Sequence, residues 1–285
     1  MFSKVIKNPK IILVCCILFF LSLVIYSFFF QNQRVLGKKT QEDLQTAANI
    51  SSTSQNSPSP KMISSPSPTP SPKLSKSTYT IALYGDSMID TMGENLDYLD
   101  KALKAKYPQT NFQLYNYGIG SQNVEEGLAR FENNFSYQSR NYPPIGQIKP
   151  DVIILGSFAY NVFPQHDKIR HYQKLSELIN RAKQVTPNVY LLVEIAPLKT
   201  GFGRGEGGVN WPQDVSYNHA LKIIDQLENG ISLASQVEMI NAYKLSRNDR
   251  NFGNPVYVSG HDGIHPSVEG HVLMANLISR TIKLK

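Results

Sequence analysis

An aspartate and a histidine near the C-terminus have the spacing of a proton-transfer pair. In Asp262-Gly263-Ile264-His265-Pro266 the two side chains are three residues apart, so the carboxylate can hold the imidazole ring in one tautomer and leave its other nitrogen to accept a proton. A serine that would give up such a proton occurs in Gly85-Asp86-Ser87, directly after an apolar segment. The order Ser87, Asp262, His265 fits the logic of a Ser–His–Asp triad. We therefore predict nucleophilic catalysis by Ser87, whose simpler interpretation is a helix N-cap.

Two other polar segments follow apolar runs and supply candidate hydrogen-bond donors. The first is Asn116-Tyr117-Gly118-Ile119-Gly120-Ser121, whose glycines allow backbone N–H groups to approach a ligand closely. The second is Gly156-Ser157-Phe158-Ala159-Tyr160-Asn161, in which the amide of Asn161 would donate into the same cleft. An ordinary turn and a loop cap are the alternative interpretations of these segments.

Three aromatic residues are candidate substrate contacts. Tyr84 and Tyr160 adjoin the motif residues, and either line the pocket or are buried framework tyrosines. Trp211, in the loop 199–214, either stacks on a sugar ring or has a structural role.

The elements that must position these residues alternate between strand and helix along residues 79–285. Predicted strands cover 79–84, 112–117, 151–155, 189–195 and 237–242, and helical patterns occur at 96–103, 124–131, 169–182, 217–227 and 268–278. This alternation predicts an α/β fold in which helices cover both faces of a parallel sheet. Such sheets bind ligands beyond the carboxyl ends of their strands, where the polar segments lie.

The four segments together resemble the sequence blocks of the SGNH (GDSL-type) hydrolases in order and spacing. The resemblance covers residues 79–285, and it implies the SGNH hydrolase fold, with a flavodoxin-like sheet, and ester hydrolysis through an acyl-serine. By position it makes Ser87 the nucleophile, His265 the general base and Asp262 the residue that orients the base. The implied oxyanion hole combines the Ser87 N–H, a backbone N–H from residues 118–121 and the Asn161 side chain.

The chain departs from the family pattern in two blocks. Ser121 stands where a glycine usually ends the second block, so the backbone donor among Gly118, Gly120 and Ser121 stays open. The third block usually reads Gly-x-Asn-Asp, whereas Asn161 lies five residues after Gly156 and precedes a valine.

The first 78 residues differ in composition from the rest. Residues 1–10 contain three lysines and precede an uncharged apolar run at 11–30, which at ~1.5 Å per residue would span the ~30 Å core of a bilayer. Residues 31–78 are rich in Ser and Pro and are predicted to form a flexible linker. We predict a cytoplasmic segment 1–10, a transmembrane signal anchor 11–30 and an extracytoplasmic hydrolase domain 79–285 at the cell membrane.

Charge and motif content argue against several other classes of protein. The net charge of +7 comes from the N-terminal region, because residues 79–285 contain 20 basic and 20 acidic residues, so no nucleic-acid groove is expected. No helix is predicted to open after Gly203-x-Gly205-x-x-Gly208, as a dinucleotide site requires. His261, Asp262, His265 and His271 do not share a helical face for a metal. We expect neither a cofactor nor a metal.

These observations predict a membrane-anchored serine esterase that hydrolyses acyl esters, with O-acetyl groups on envelope carbohydrate as the expected substrate. Two alternatives stay open. One is an O-acyltransferase that uses the same triad to acylate glycan hydroxyls. The other is a non-catalytic glycan-binding module, which would have no need of Ser87, Asp262 and His265. The sequence does not indicate an oligomeric state.

Overall fold

The computed structural model describes residues 74–204, 210–248 and 251–285. The predicted signal anchor at 11–30 and the predicted linker as far as residue 73 lie outside these ranges. Within them, none of the helices combines the length and apolar character needed to cross a bilayer.

The observed elements alternate along the chain much as the sequence predicts. In chain order they are β1 (Thr78–Gly85), α1 (Ser87–Asp90), α2 (Asp97–Lys106), β2 (Asn111–Gly118), α3 (Val124–Arg130), β3 (Phe135–Tyr137), β4 (Arg140–Tyr142), β5 (Val152–Gly156), α4 (Lys168–Val185), β6 (Val189–Val193), α5 (Gln213–Ser232), β7 (Glu238–Asn241), α6 (Ala242–Ser246) and α7 (Val268–Thr281). Short 3-10 turns occur at Ile145–Ile148, Leu233–Ser235 and Pro255–Tyr257.

Five strands form a parallel sheet in the order β2-β1-β5-β6-β7, which confirms the predicted sheet and has the flavodoxin-like strand order. Strands β5 and β6 are buried along their whole length, because helices cover the sheet and leave no face for polar side chains. Two helical layers provide the cover: α2 packs on α7, and α3, α4 and α5 pack in succession. The order of the strands reverses next to β1, so the end of β1 is the expected ligand position.

A two-stranded antiparallel hairpin, β3–β4, is not predicted from the sequence. Phe135 pairs with Tyr142, and Tyr137 pairs with Arg140. Each strand has three residues, which is too short for a period-two pattern to stand out. An ion pair from Arg140 to Asp90 of α1 holds the hairpin beside the end of β1.

The buried side chain of Arg130 joins the carboxyl ends of the two neighbouring strands β1 and β2. Its Nη2 donates to the carbonyl of Gly85 at 2.7 Å, and its Nη1 donates to the carbonyl of Tyr117 at 2.9 Å. Its Nε donates to Gln122 Oε1 at 2.6 Å, and the guanidinium lies 4.1 Å from the centre of the Tyr84 ring. The planar fork of an arginine suits these divergent acceptors.

Replacement of Arg130 by methionine is therefore expected to lower the free energy of unfolding by about 2–4 kcal/mol, because two strand-end carbonyls lose their donors in a buried place. Urea unfolding followed by circular dichroism measures this loss. Arg181→Met is the matched control, since Arg181 makes a half-exposed ion pair with Glu177 one helical turn away, and its loss should cost under about 1 kcal/mol. Equal losses in the two variants would contradict the role given to Arg130.

Candidate active site

Asp262 and His265 form a hydrogen-bonded pair in the loop before α7. The His265 Nδ1 lies 2.7 Å from Asp262 Oδ2, while Asp262 Oδ1 accepts the backbone N–H groups of Ile264 at 2.8 Å and His265 at 3.0 Å. Burial alone would raise the pKa of Asp262, but the hydrogen bond and charge of His265 hold the pKa below its ordinary value. An ionised Asp262 keeps the proton on Nδ1, so Nε2 is the nitrogen left to act as a base.

The loop that carries this pair requires a glycine at its tightest point. Gly263 has a φ of +67°, and a Cβ on it would lie 2.0 Å from the carbonyl oxygen of Gly201. The loop is closed by hydrogen bonds from Gly263 N–H to the Ser259 carbonyl and from Ser259 N–H to the His265 carbonyl. The Asp262–His265 pair is therefore fixed by its own backbone as well as by its side chains.

The predicted nucleophile Ser87 stands at the junction of β1 and α1. The helix is capped by Asp86, whose Oδ1 accepts the N–H of Met88 at 2.9 Å. The alternative interpretation of Ser87 as the N-cap is therefore wrong, because Ser87 is already the first residue of the helix. Its hydroxyl is not required for capping, and its side chain is partly exposed.

The fully buried carboxylate of Asp86 brings three of the four sequence segments together. Its Oδ2 accepts a hydrogen bond from Asn161 Nδ2 at 2.9 Å. Burial raises the pKa of Asp86, while the hydrogen bonds from Met88 and Asn161 and the nearby charge of His265 lower it in part.

The glycine-rich turn after β2 uses its backbone N–H groups in different ways. Gly118 N–H donates to Asn116 Oδ1 at 2.8 Å, and Ile119 N–H donates to the carbonyl of Gly85 at 3.1 Å. The prediction of Gly118 as a donor is thus wrong, because its N–H points to an acceptor within its own turn, whereas the N–H of Gly120 points out of the turn to the Tyr137 hydroxyl at 3.2 Å. Gly120 lies beside Ser87, since a Cβ built on it would be 3.9 Å from Ser87 Cβ. Ser121 is exposed and has a φ of +61°.

Two of the predicted substrate contacts are framework residues. Tyr84 is fully buried and its hydroxyl donates to the carbonyl of Gly127. Tyr160 is also buried, and its hydroxyl donates to the carbonyl of Ile195 at 2.9 Å. Both predictions of pocket lining are corrected, because buried tyrosines place their hydroxyl on a backbone acceptor. Trp211 is half-buried against Phe202, and its role in sugar binding stays a prediction.

A second buried carboxyl group, Glu194, lies behind the site and is absent from the sequence prediction. It follows the apolar strand β6, and its Oε1 accepts the N–H of Ser157 at 2.8 Å, while Oε2 accepts the Ser157 hydroxyl. Burial raises the pKa of Glu194, and the charge of Asp86 raises it further. The signal in the sequence is an acidic residue directly after a buried parallel strand, where the carboxyl ends of the strands meet.

No group of three or more His, Cys, Asp or Glu side chains in the described ranges has an arrangement that could hold a metal ion. His271, a member of the metal alternative, is buried on α7 with its ring stacked on Tyr98, 6.2 Å between ring centres. The segment Gly203-x-Gly205-x-x-Gly208 lies partly outside the described residues.

Comparison with known proteins identifies the fold. No protein-family model matches the chain, and no curated protein is similar to it in sequence. A GDSL-like lipase from Bacteroides thetaiotaomicron is similar in structure, with a TM-score of 0.50 and 17% identity over 71% of this chain and 86% of that protein. A lipase/acylhydrolase from Enterococcus faecalis has a TM-score of 0.49, 18% identity and coverage of 73% and 98%. An acetylxylan esterase from Geobacillus stearothermophilus has a TM-score of 0.49, 17% identity and coverage of 73% and 95%.

The raised pKa of Glu194 predicts a pH-dependent contribution to stability. The folded protein keeps the Glu194 proton above the ordinary glutamate pKa of 4.5, whereas the unfolded chain releases it there. The contribution of Glu194 to the free energy of unfolding is therefore complete below pH 4.5. It is lost as the pH rises toward the pKa of Glu194 in the folded protein, by up to about 1.4 kcal/mol per pH unit.

Glu194→Gln, a neutral mimic of the protonated acid, should gain stability relative to the wild type between pH 5 and pH 8. Urea unfolding at each pH measures the difference, in which contributions of the histidines common to both proteins cancel. Glu177→Gln, at a half-exposed position on α4 where the pKa is lowered, should show no such trend over this range. A pH-independent difference for Glu194→Gln would refute the assignment.

Proposed function

We propose that this chain, which has the fold of the GDSL-type hydrolases, is a serine esterase that hydrolyses acyl esters. The observation that carries the proposal is the Asp262–His265 pair, joined at 2.7 Å, in the same fold as a partly exposed Ser87 at the carboxyl end of β1. A nucleophile, a base and a group that orients the base are thus supplied by residues far apart in the sequence.

In the proposed reaction, Ser87 Oγ attacks the acyl carbonyl carbon while its proton passes to His265 Nε2. The tetrahedral intermediate collapses with cleavage of the bond from the acyl carbon to the alcohol oxygen, and the alcohol leaves with the proton from Nε2. Water then attacks the acyl-serine, gives its proton to Nε2, and the released Ser87 recovers that proton. Asp262 stays ionised throughout and stabilises the imidazolium that forms in each half-reaction.

Three donors around Ser87 are proposed to stabilise the oxyanion. The Ser87 N–H is at the first position of α1, where backbone N–H groups have no acceptor within the helix. Gly120 N–H is on the turn beside Ser87. Asn161 has two amide hydrogens, and the bond of one to Asp86 Oδ2 orients the other. Donors fixed before the reaction stabilise the developing charge without reorganisation.

The proposed substrate is an O-acetylated glycan of the cell envelope. The support for this is the sequence pattern at 11–30, typical of a membrane anchor, and the Ser/Pro-rich composition of 31–78, typical of an extended linker. The half-buried Trp211 offers an aromatic ring near the loop that contacts Gly263. An esterase tethered in this way would act on acyl groups of polymers within reach of the membrane.

Aryl acetate hydrolysis tests the proposed triad. Ser87→Ala should abolish turnover by removing the nucleophile, and Asp262→Asn should lower kcat by about 10³- to 10⁴-fold, because the amide no longer favours the Nδ1–H tautomer. Ser176→Ala, on α4 away from the site, is the matched control and should retain full activity. A Ser87→Ala protein as active as the wild type would remove the esterase assignment.

Acetate release from O-acetylated glycans tests the proposed substrate class. The full-length chain in membranes should release acetate from acetylated envelope glycan or acetylated xylan, and Ser87→Ala should not. If aryl acetate is hydrolysed but neither glycan is, the result supports the proposed triad and contradicts the proposed substrate class. Acetyl transfer from aryl acetate to an added glycan, in excess of free acetate, would instead identify an acyltransferase.

A further inference from the structure

The hairpin β3–β4 is fastened to the helix that begins with Ser87. Arg140 Nη2 donates to Asp90 Oδ1 at 2.7 Å, and the two side chains are only 13% and 16% exposed. The Tyr137 hydroxyl donates to the other oxygen of the same carboxylate at 3.3 Å. A weakly exposed ion pair is little screened by solvent, so Asp90 holds both residues of the hairpin in place.

The Tyr137 hydroxyl also accepts a hydrogen bond from the N–H of Gly120 at 3.2 Å. A Cβ on Gly120 would lie 3.0 Å from this hydroxyl and 3.9 Å from Ser87 Cβ, so the hydroxyl and the nucleophile flank the same glycine. Burial and the charge of Asp90 raise the pKa of Tyr137, so the phenol keeps its proton. The hydroxyl donates that proton to Asp90, and a lone pair of its oxygen accepts the hydrogen bond from the Gly120 N–H.

The Gly120 N–H therefore has an acceptor before any substrate arrives. A carbonyl oxygen that takes a hydrogen bond from this N–H must occupy the region in which the phenol oxygen lies, because an N–H points in one direction. Two oxygen atoms cannot share that place at hydrogen-bonding distance.

We propose that Tyr137 gates the oxyanion hole, its hydroxyl occupying the Gly120 N–H until the carbonyl oxygen of an ester displaces it. This inference rests on the proposed function and adds a specificity-determining residue to it. Tyr137 is not a catalytic residue in this account, because it leaves the oxyanion position when the substrate enters. Arg140 and Asp90 set the cost of that movement, since they hold the hairpin against α1.

Kinetics of Tyr137→Phe test the gate. Loss of the competing acceptor should raise kcat/KM for aryl acetate by about two- to tenfold, the equivalent of one ordinary hydrogen bond. Tyr142→Phe is the matched control on the same hairpin, because the buried Tyr142 hydroxyl has no hydrogen-bond partner in the described part of the chain, and kcat/KM should not change. Arg140→Gln, which frees the hairpin from Asp90, should also raise kcat/KM.

A lower kcat in Tyr137→Phe, in a protein that melts like the wild type, would overturn the proposal, since the hydroxyl would then be a donor to the oxyanion. An unchanged kcat/KM would overturn it equally. Both outcomes leave the proposed function intact, because the wild type turns over substrate and Ser87→Ala does not. A wild type without esterase activity is a failure of the proposed function itself.

Amide hydrogen exchange provides a readout that needs no turnover. The Gly120 amide of the free protein should exchange faster in Tyr137→Phe than in the wild type, because its acceptor is gone. The Gly118 amide, bonded to Asn116 Oδ1, is the internal control and should exchange at the same rate in both. Equal rates for Gly120 in the two proteins would show that the hydroxyl does not occupy this donor.

Discussion

The carboxylate of Asp86 lies fully buried at the end of β1, where its two oxygens accept hydrogen bonds from different parts of the chain. One oxygen caps α1 through Met88, and the other accepts from Asn161 beyond β5. A buried carboxylate without such donors would be strongly destabilising, so the strand ends and the start of the helix must keep these positions. The start of the helix that Ser87 opens and the orientation of the Asn161 amide follow from this constraint.

The surroundings of Asp86 show how a buried charge is accommodated. Glu194 lies near enough for the charge of Asp86 to raise its pKa, and two neighbouring carboxyl groups do not both ionise readily. We assign the charge to Asp86, where the hydrogen bonds from Met88 and Asn161 and the charge of His265 oppose the effect of burial on the pKa, and the proton to Glu194, whose pKa is raised both by burial and by the charge of Asp86. Burial lowers the pKa of Arg130, which the charge of Asp86 partly restores. The back of the site is thus a compact set of compensated buried charges.

The sequence predicted the sheet because parallel strands covered on both faces are nearly continuous apolar runs, as in β5 and β6. It also predicted the Asp262–His265 pair, whose spacing is local. It could not separate Gly118 from Gly120, since the choice depends on where each N–H points after folding. The hairpin with Tyr137 was not predicted, because its strands have only three residues each and its contacts with Asp90, Gly120 and Tyr117 exist only after folding.

Covalent labelling by a fluorophosphonate tests whether Ser87 is a nucleophile activated by His265. We expect the full-length protein to gain one phosphonyl group with loss of fluoride, and peptide mass spectrometry to place this group on Ser87. Labelling should be much slower in His265→Ala, since no base removes the hydroxyl proton. Absence of labelling in the native protein, or equal labelling of Ser87→Ala, would contradict the account.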